Sequence, residues 1–491
     1  MDISWNSMPM VGRCKSLIVL FLSLITFSCV SKGGKPSYEA KPALRISPIE
    51  VSSTRGTFLI ESINATGVDL LCLKSTETAP SANEIILKGN HCLDGEYEVT
   101  GLTSECNYVL YGVASNSAGK RSNIYELKFS TITGPEKLYD WEKNRNEKPK
   151  YSNLALCYGG SAHRVPFLWD EDRFDYHVSY TDVEGKMHWL FDAFLAIEFV
   201  DTKNNMSYML GNGRPSADKD SWIELMDYWF DRENGFAALD RSVEKTAKKM
   251  GNPETRRKVV ITLPDPIIYQ NFKDMNSSTT YWGFIDGKQM DFKKPADRLA
   301  AMKWYIDEVR DRWDKANYKN LEFIGFYIIS EDLAIPGYGW SPELKHWEDI
   351  YPEISNYIHA CNETLTWIPY NSAGGHQLWK QFGIDYAMMQ PNYFWHSEYD
   401  MNSYMAMVLS DGLSMEFELD QAILEKNNDS YGYRARFYEY MSMCKKMNLY
   451  GKRELSYYFG TNDFYELSVS TYPKDQQLYN DLCLFIIGSI H

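Results

Sequence analysis

Two carboxylate-bearing segments hold the residues best placed to do chemistry. One is Ile324-Gly-Phe-Tyr-Ile-Ile-Ser-Glu331-Asp332, the other Leu413-Ser-Met-Glu416-Phe-Glu418-Leu-Asp420. Each reads as a strand running into acid. Two carboxylates at the carboxyl ends of different strands of one barrel are the equipment of acid/base glycoside chemistry. Glu331 closes an apolar strand beside Phe326, Tyr327 and Ile329. A desolvated carboxyl there keeps its proton and suits a general acid. In the second segment, period-two alternation sends Met415, Phe417 and Leu419 outward and Glu416 and Glu418 inward. Glu418, nearer the mouth, is the expected nucleophile. Glu416 lies deeper, where Arg453 or Lys452 is its expected partner. The plain alternative for each acid is an ordinary ion pair at a strand end. Asp192, Glu198, Asp265, Asp332 and Asp420 are lesser candidates.

The other strand ends carry amides and rings, a mix that suits a polyhydroxylated ligand. The first end supplies Tyr158, and the fifth Tyr370, Asn371 and His376. The sixth supplies Gln390, Asn392, Tyr393 and Trp395, the eighth Tyr458, with Glu416 beneath. For any single ring, core packing competes with stacking on a sugar face.

These residues need a scaffold of alternating strands and helices, and residues 150–491 read that way. Strand candidates are Asn153–Tyr158, Trp189–Val200, Lys258–Leu263, Glu322–Tyr327, Thr364–Ile368, Tyr386–Met389, Leu413–Leu419 and Glu454–Phe459. Between the third and fourth, Leu299, Met302, Ile306, Val309 and Trp313 recur at helical spacing. Ser341-Pro342 has the form of a helix start, and Lys474–Gly488 reads as the last helix. About eight such units predict an α/β fold, a (β/α)8 TIM barrel. A doubly wound sheet is the rival, but no Gly-rich phosphate loop follows the first strand.

The chain has 491 residues, 44% hydrophobic and 15% aromatic, with 35 Tyr and 14 Trp, enough for two or three self-sufficient domains. Its net charge of −15 argues against a nucleic-acid partner. Residues 1–29 read as a signal: Arg13 and Lys15 precede an apolar run, too short to span a bilayer, that ends in Thr26-Phe27-Ser28-Cys29. This ending resembles a bacterial lipobox, in which the Cys is lipidated. A simple signal peptide with an incidental Cys is the alternative. Residues 30–42 form a tether and 134–149 a polar linker. Of the 9 cysteines, Cys72, Cys92 and Cys106 lie close enough in sequence for a disulfide, with the pair left open.

Residues 43–133 alternate short strands, Glu84–Lys88 among them, with turns, which predicts a small all-β sandwich. Leu102, Tyr108, Ala114 and the Asn116-Ser-Ala-Gly119 turn resemble a fibronectin type III domain. The acid on strand four and nucleophile on strand seven resemble the barrel superfamily of retaining glycosidases, although Ser330 stands where that superfamily has Asn. More narrowly, Leu138–Arg145, Gly325–Glu331 and Tyr457–Gly460 resemble a family of bacterial lipoproteins known only as a domain of unknown function. Its members resemble proteins of polysaccharide-utilisation loci.

The expectation is therefore a lipid-anchored, cell-envelope protein of the outer membrane whose partner is carbohydrate. It would act as a retaining glycoside hydrolase needing no cofactor or metal. The alternative is a surface glycan-binding protein that has lost catalysis. A metal-dependent hydrolase built on His163, Asp170, Asp175 and His177 is a weaker third idea, because their spacing follows no known site. If Cys29 carries the anchor, Cys29→Ser moves the protein from the membrane fraction to the soluble fraction. Retention in the detergent phase would refute the anchor.

Overall fold

The computed structural model describes residues 40–51, 55–103, 106–131, 150–160, 165, 167–210, 214–268, 279–333, 347–429 and 431–490. The signal, Cys29, most of the tether, the linker, His163 and the Ser341-Pro342 helix start lie outside the described residues. No described helix is long and apolar enough to cross a membrane.

The N-terminal strands are β1 (Ala43–Val51), β2 (Arg55–Ile63), β3 (Gly67–Lys74), β4 (Asn90–Cys92), β5 (Gly95–Thr100), β6 (Asn107–Ser115) and β7 (Tyr125–Ser130). They form two antiparallel sheets, ordered β1-β2-β5 and β4-β3-β6-β7. Ile46, Phe58, Ile60, Val68, Leu70, Leu110 and Ala114 fill the space between them. The Thr103 N–H donates to the Tyr108 hydroxyl oxygen at 2.8 Å. That bond is the tyrosine corner expected where such a sandwich turns into its sixth strand. Asn116 and Gly119 close the expected turn, with Asn116 Oδ1 accepting from the Ala118 and Lys120 N–H groups.

Two expectations fail in this module. Glu84–Lys88 lies in a helix, α1 (Ala82–Lys88), capped reciprocally by Ser81 and Glu84. A short apolar run fits either structure, and here the capping box decides. Cys72, Cys92 and Cys106 are all free thiols. Register explains the first two. Cys92 faces Val68, four residues from Cys72 along β3. Four residues of strand span about 13 Å, beyond disulfide reach. Burial pushes the Cys72 thiol up to about 12.

Eight parallel strands close the C-terminal barrel. In order they are Asn153–Tyr158, Ala193–Ile197, Arg257–Leu263, Leu321–Ile328, Thr364–Trp367, Tyr386–Met389, Ser414–Leu419 and Leu455–Phe459. Strand eight returns to strand one through the Leu455–Asn153 pair. Most strand residues are buried on both faces, which is why these segments read as continuous apolar runs. Helices pack outside. Pro295–Ala316 starts on a proline, buries Met302, Ile306 and Val309, and stops at Asn317 in the left-handed conformation. Pro473–Gly488 is the last helix, as its sequence predicts.

The second strand is shorter than predicted. Met187–Trp189 leaves to pair with Ser179–Thr181, and the barrel strand begins at Ala193. Asp192 marks the break, its carboxylate accepting from the Ser152 and Asn153 N–H groups at 2.8 and 2.7 Å. It is a staple at the amino end of the barrel, which removes it from the site candidates.

Strand four carries a bulge. Its register against strand three passes from Phe323 to Gly325 across adjacent Val259 and Val260, leaving Ile324 extra. Gly325 has φ +149, and a Cβ there would stand 1.9 Å from the Thr364 carbonyl oxygen. Gly325→Ala is expected to cost about 3 kcal/mol or more, combining backbone strain with overlap. Chemical denaturation checks this. A loss under about 1 kcal/mol would mean the bulge relaxes freely.

Candidate active site

The carboxyl ends of the barrel strands gather acid. Glu331 and Asp332 follow strand four, Glu416 and Glu418 lie within strand seven, and Asp420 follows it. Glu198 follows strand two, Asp265 strand three, and Asp463 strand eight. Strand period-two places Glu416 and Glu418 on the inner face, between Met415, Phe417 and Leu419, all fully buried against the outer layer.

One tripeptide holds the two principal acids. Gln390 Nε2 donates to Glu331 Oε1 at 3.0 Å, and the Asn392 N–H donates to Glu418 Oε1 at 3.1 Å. Asn392 sits at φ +55, a conformation asparagine tolerates better than most residues. Asn371 Nδ2 donates to the Pro391 carbonyl at 3.0 Å and pins the middle of the segment. The second oxygen of Glu418 accepts from the Tyr440 hydroxyl at 2.7 Å. That hydroxyl in turn accepts from the Phe394 N–H.

Burial dominates the electrostatics. Glu418 is 1% exposed, and its carboxyl is pushed up to about 8 by burial, against the lowering effects of Tyr440 and Asn392. Glu416 is raised well above the usual range, by burial first and then by the charges of Glu418 and Glu331. The expected partnership of Glu416 with Arg453 or Lys452 does not form. Arg453 donates instead to the Gly412 carbonyl, and Ser456 is the residue opposite Glu416. Asp265 is pushed up to about 7 by burial while accepting from Ser330 Oγ at 2.5 Å and the Leu210 N–H at 3.1 Å. Trp367 Nε1 donates to the Ser330 carbonyl at 2.7 Å. The residue before Glu331 is therefore locked from strands three and five.

The remaining site residues divide. Tyr158, Tyr458 and Trp395 form an edge-to-face chain of rings, with centroids 5.7 and 5.9 Å apart. Trp395 Nε1 is held by Asp420 Oδ2 at 2.7 Å. Tyr370 donates to Asp332 at 3.0 Å. Tyr393 turns away, its hydroxyl donating to Glu439 on the outer helix Tyr433–Lys446. His376 also turns away, 2.8 Å from Asp411, which precedes strand seven. The metal idea dissolves: Asp170 caps the Glu171–Val178 helix, and Asp175 binds Ser242 and Lys245. His177 is buried, its Nδ1 against the Arg173 carbonyl, and desolvation lowers it to about 4. Among the described residues, no three His, Cys, Asp or Glu side chains gather as a metal cage.

Tyr440 is the site residue that sequence reading missed. It stands in the apolar stripe of its helix with Phe437, Met441 and Cys444, so its spacing reads as core. Only its hydroxyl distinguishes it.

The fold and this acidic mouth define a (β/α)8-barrel protein preceded by a fibronectin type III-like sandwich. The chain belongs to the family described as "Domain of unknown function (DUF4855)", whose model matches residues 153–484. No curated relative matches it. Similar solved structures cover the sandwich share of the chain. The FN5 domain of Drosophila Lar is 20% identical, covering 19% of this chain and 97% of that one, with a TM-score of 0.14. A computer-redesigned β-sandwich protein is 14% identical, covering 19% and 95%, with a TM-score of 0.15.

Glu418 keeps its proton in the folded chain up to about pH 8, whereas an unfolded glutamate loses it near its ordinary value of 4.5. Between these values the folded state binds more protons, so stability falls as pH rises, by up to about 1.4 kcal/mol per pH unit for one group. Glu418→Gln, which mimics the neutral acid, should flatten urea-derived stability between pH 5 and 8. An unchanged slope would place the burden on other groups.

Proposed function

We propose that this chain is a lipid-anchored retaining glycoside hydrolase whose working pair is Glu331 and Glu418. The observation that carries the reading is their shared clamp: Gln390 and Asn392, two residues apart, each hold one acid. Strands four and seven thereby converge two carboxyls of unlike environment. A buried acid held neutral beside a more exposed one is how a single fold separates acid from nucleophile.

Their protonation exchanges the roles expected from the sequence. Glu418 is the buried, proton-bearing member and acts as general acid. Glu331 is half-buried, receives the Gln390 amide, and is the nucleophile. In the first step Glu331 attacks the anomeric carbon while Glu418 protonates the departing oxygen. In the second, Glu418 takes a proton from water, which releases the sugar from Glu331. The Tyr158–Tyr458–Trp395 chain supplies ring faces and edges for the sugar.

One observation favours a second reading, a glycan-binding protein without catalysis. Both oxygens of Glu418 are satisfied inside the protein, and the residue is almost covered.

A glycan panel incubated with the soluble chain separates the two. Hydrolysis is read as product release, with retained anomeric configuration. Glu331→Gln should abolish turnover of every substrate. Glu418→Gln should slow substrates with poor leaving groups by about 100-fold or more, and activated ones far less. Equal loss on both substrate types in Glu418→Gln, with Glu331→Gln showing the leaving-group dependence, would restore the original roles. Binding without product on every glycan would leave the second reading standing.

A further inference from the structure

We propose that this site takes a glycan bearing free amino groups, one ammonium seating against Glu416 on the floor of the barrel. The inference rests on the carbohydrate reading above and names its substrate class.

Glu416 is the least explained side chain of the site. It lies on strand seven, is 3% exposed, and points inward between two outward-facing neighbours, Met415 and Phe417. Its Oε1 meets no donor among the described residues. A buried carboxyl without a partner is costly, and folded chains rarely retain one that nothing uses. The ion pairs of the described residues include no cation on Glu416, Glu418, Asp265, Asp420 or Asp463. The charges acting on Glu416 are those of Glu418 and Glu331, both of its own sign.

Ligand chemistry follows from that deficit. A hydroxyl brings one donor and no charge. An ammonium brings three donors and the missing positive charge in one compact group. An N-acetyl group removes that charge, and a uronate or sulfate ester adds another negative one to a crowded acidic site. The ring chain Tyr158–Tyr458–Trp395 is apolar wall beside this floor, suited to a sugar's carbon face. An ammonium against Glu416 favours its ionised form, so the proton held in the free protein leaves on binding.

The test is calorimetry of the full chain at pH 6 with three short probes: a glucosamine trimer, its fully N-acetylated counterpart and a glucuronate-containing trimer. Each is measured in two buffers of different ionisation enthalpy. The amine form is expected to bind about tenfold or more tightly than the acetylated form, with net proton release, and the uronate weakest. Glu416→Gln should bring the amine and acetylated affinities to within about twofold of each other. An acetylated trimer that binds equally or better overturns the inference. So does an amine preference that survives Glu416→Gln, because it would then reflect general attraction to an acidic surface. Should Glu416→Gln not fold, proton release by the native chain decides, and its absence overturns the inference. Neutral binding without amine preference leaves the carbohydrate reading intact, whereas no binding by any glycan removes both.

Discussion

The closure of strand eight onto strand one is the constraint from which the rest of the barrel follows. Asn153 makes that seam. Its side-chain oxygen accepts from Tyr457 of strand eight at 2.8 Å and from Ser489, just beyond the last helix, at 2.9 Å. Its amide nitrogen reaches the Ile486 carbonyl. One fully buried polar side chain therefore joins the first strand, the last strand and the last helix, across more than 300 residues of chain. Asp192 continues the seam by binding the N–H groups of residues 152 and 153. A buried amide with all its valences used is stabilising, and replacing it with an apolar group would orphan several partners at once.

Closure sets what happens at the opposite end. With eight strands the interior is filled by side chains, so anything at the carboxyl ends must either pack or work. Here several strands deliver acid to that end. Neither the bulge at Gly325 nor the lock of Ser330 between Asp265 and Trp367 adds stability in any obvious way. Both fix where strand four ends, and hence where Glu331 stands. The glycosidase-like pattern with Ser in place of Asn becomes intelligible: the hydroxyl is held by a carboxylate from the neighbouring strand.

Much of this scaffold was legible in sequence, for a physical reason. Parallel strands buried on both faces produce apolar runs, and the acids that interrupt them at strands four and seven stand out. Alternation correctly put Glu416 and Glu418 inside. Where short runs were ambiguous, reading failed. Ile85-Ile86-Leu87 looked like a strand, although Ser81 and Glu84 were a helix start in plain view. Met187–Val200 looked continuous because the staple at Asp192 acts on strand one, far away in sequence. Tyr440 was invisible because a ring in an apolar helical stripe packs alike with or without a working hydroxyl. The protonation of Glu418 was equally hidden, since burial depth is a property of the closed barrel and not of the strand. Tyr393 and His376 show the converse. They lie in the right loops but bond to partners away from the two principal acids.

The tripeptide Gln390-Pro391-Asn392 has a mechanical side. Trp395 follows it by three residues and is tied to Asp420, so the loop is braced at both ends. The proline stiffens its middle, and the left-handed Asn392 aims its N–H at Glu418. A load on the indole is thus transmitted along a short stiff lever to two carboxyl groups together. Proton affinity at Glu331 and Glu418 is coupled to occupancy of the aromatic wall, and the pair responds to contact as one unit.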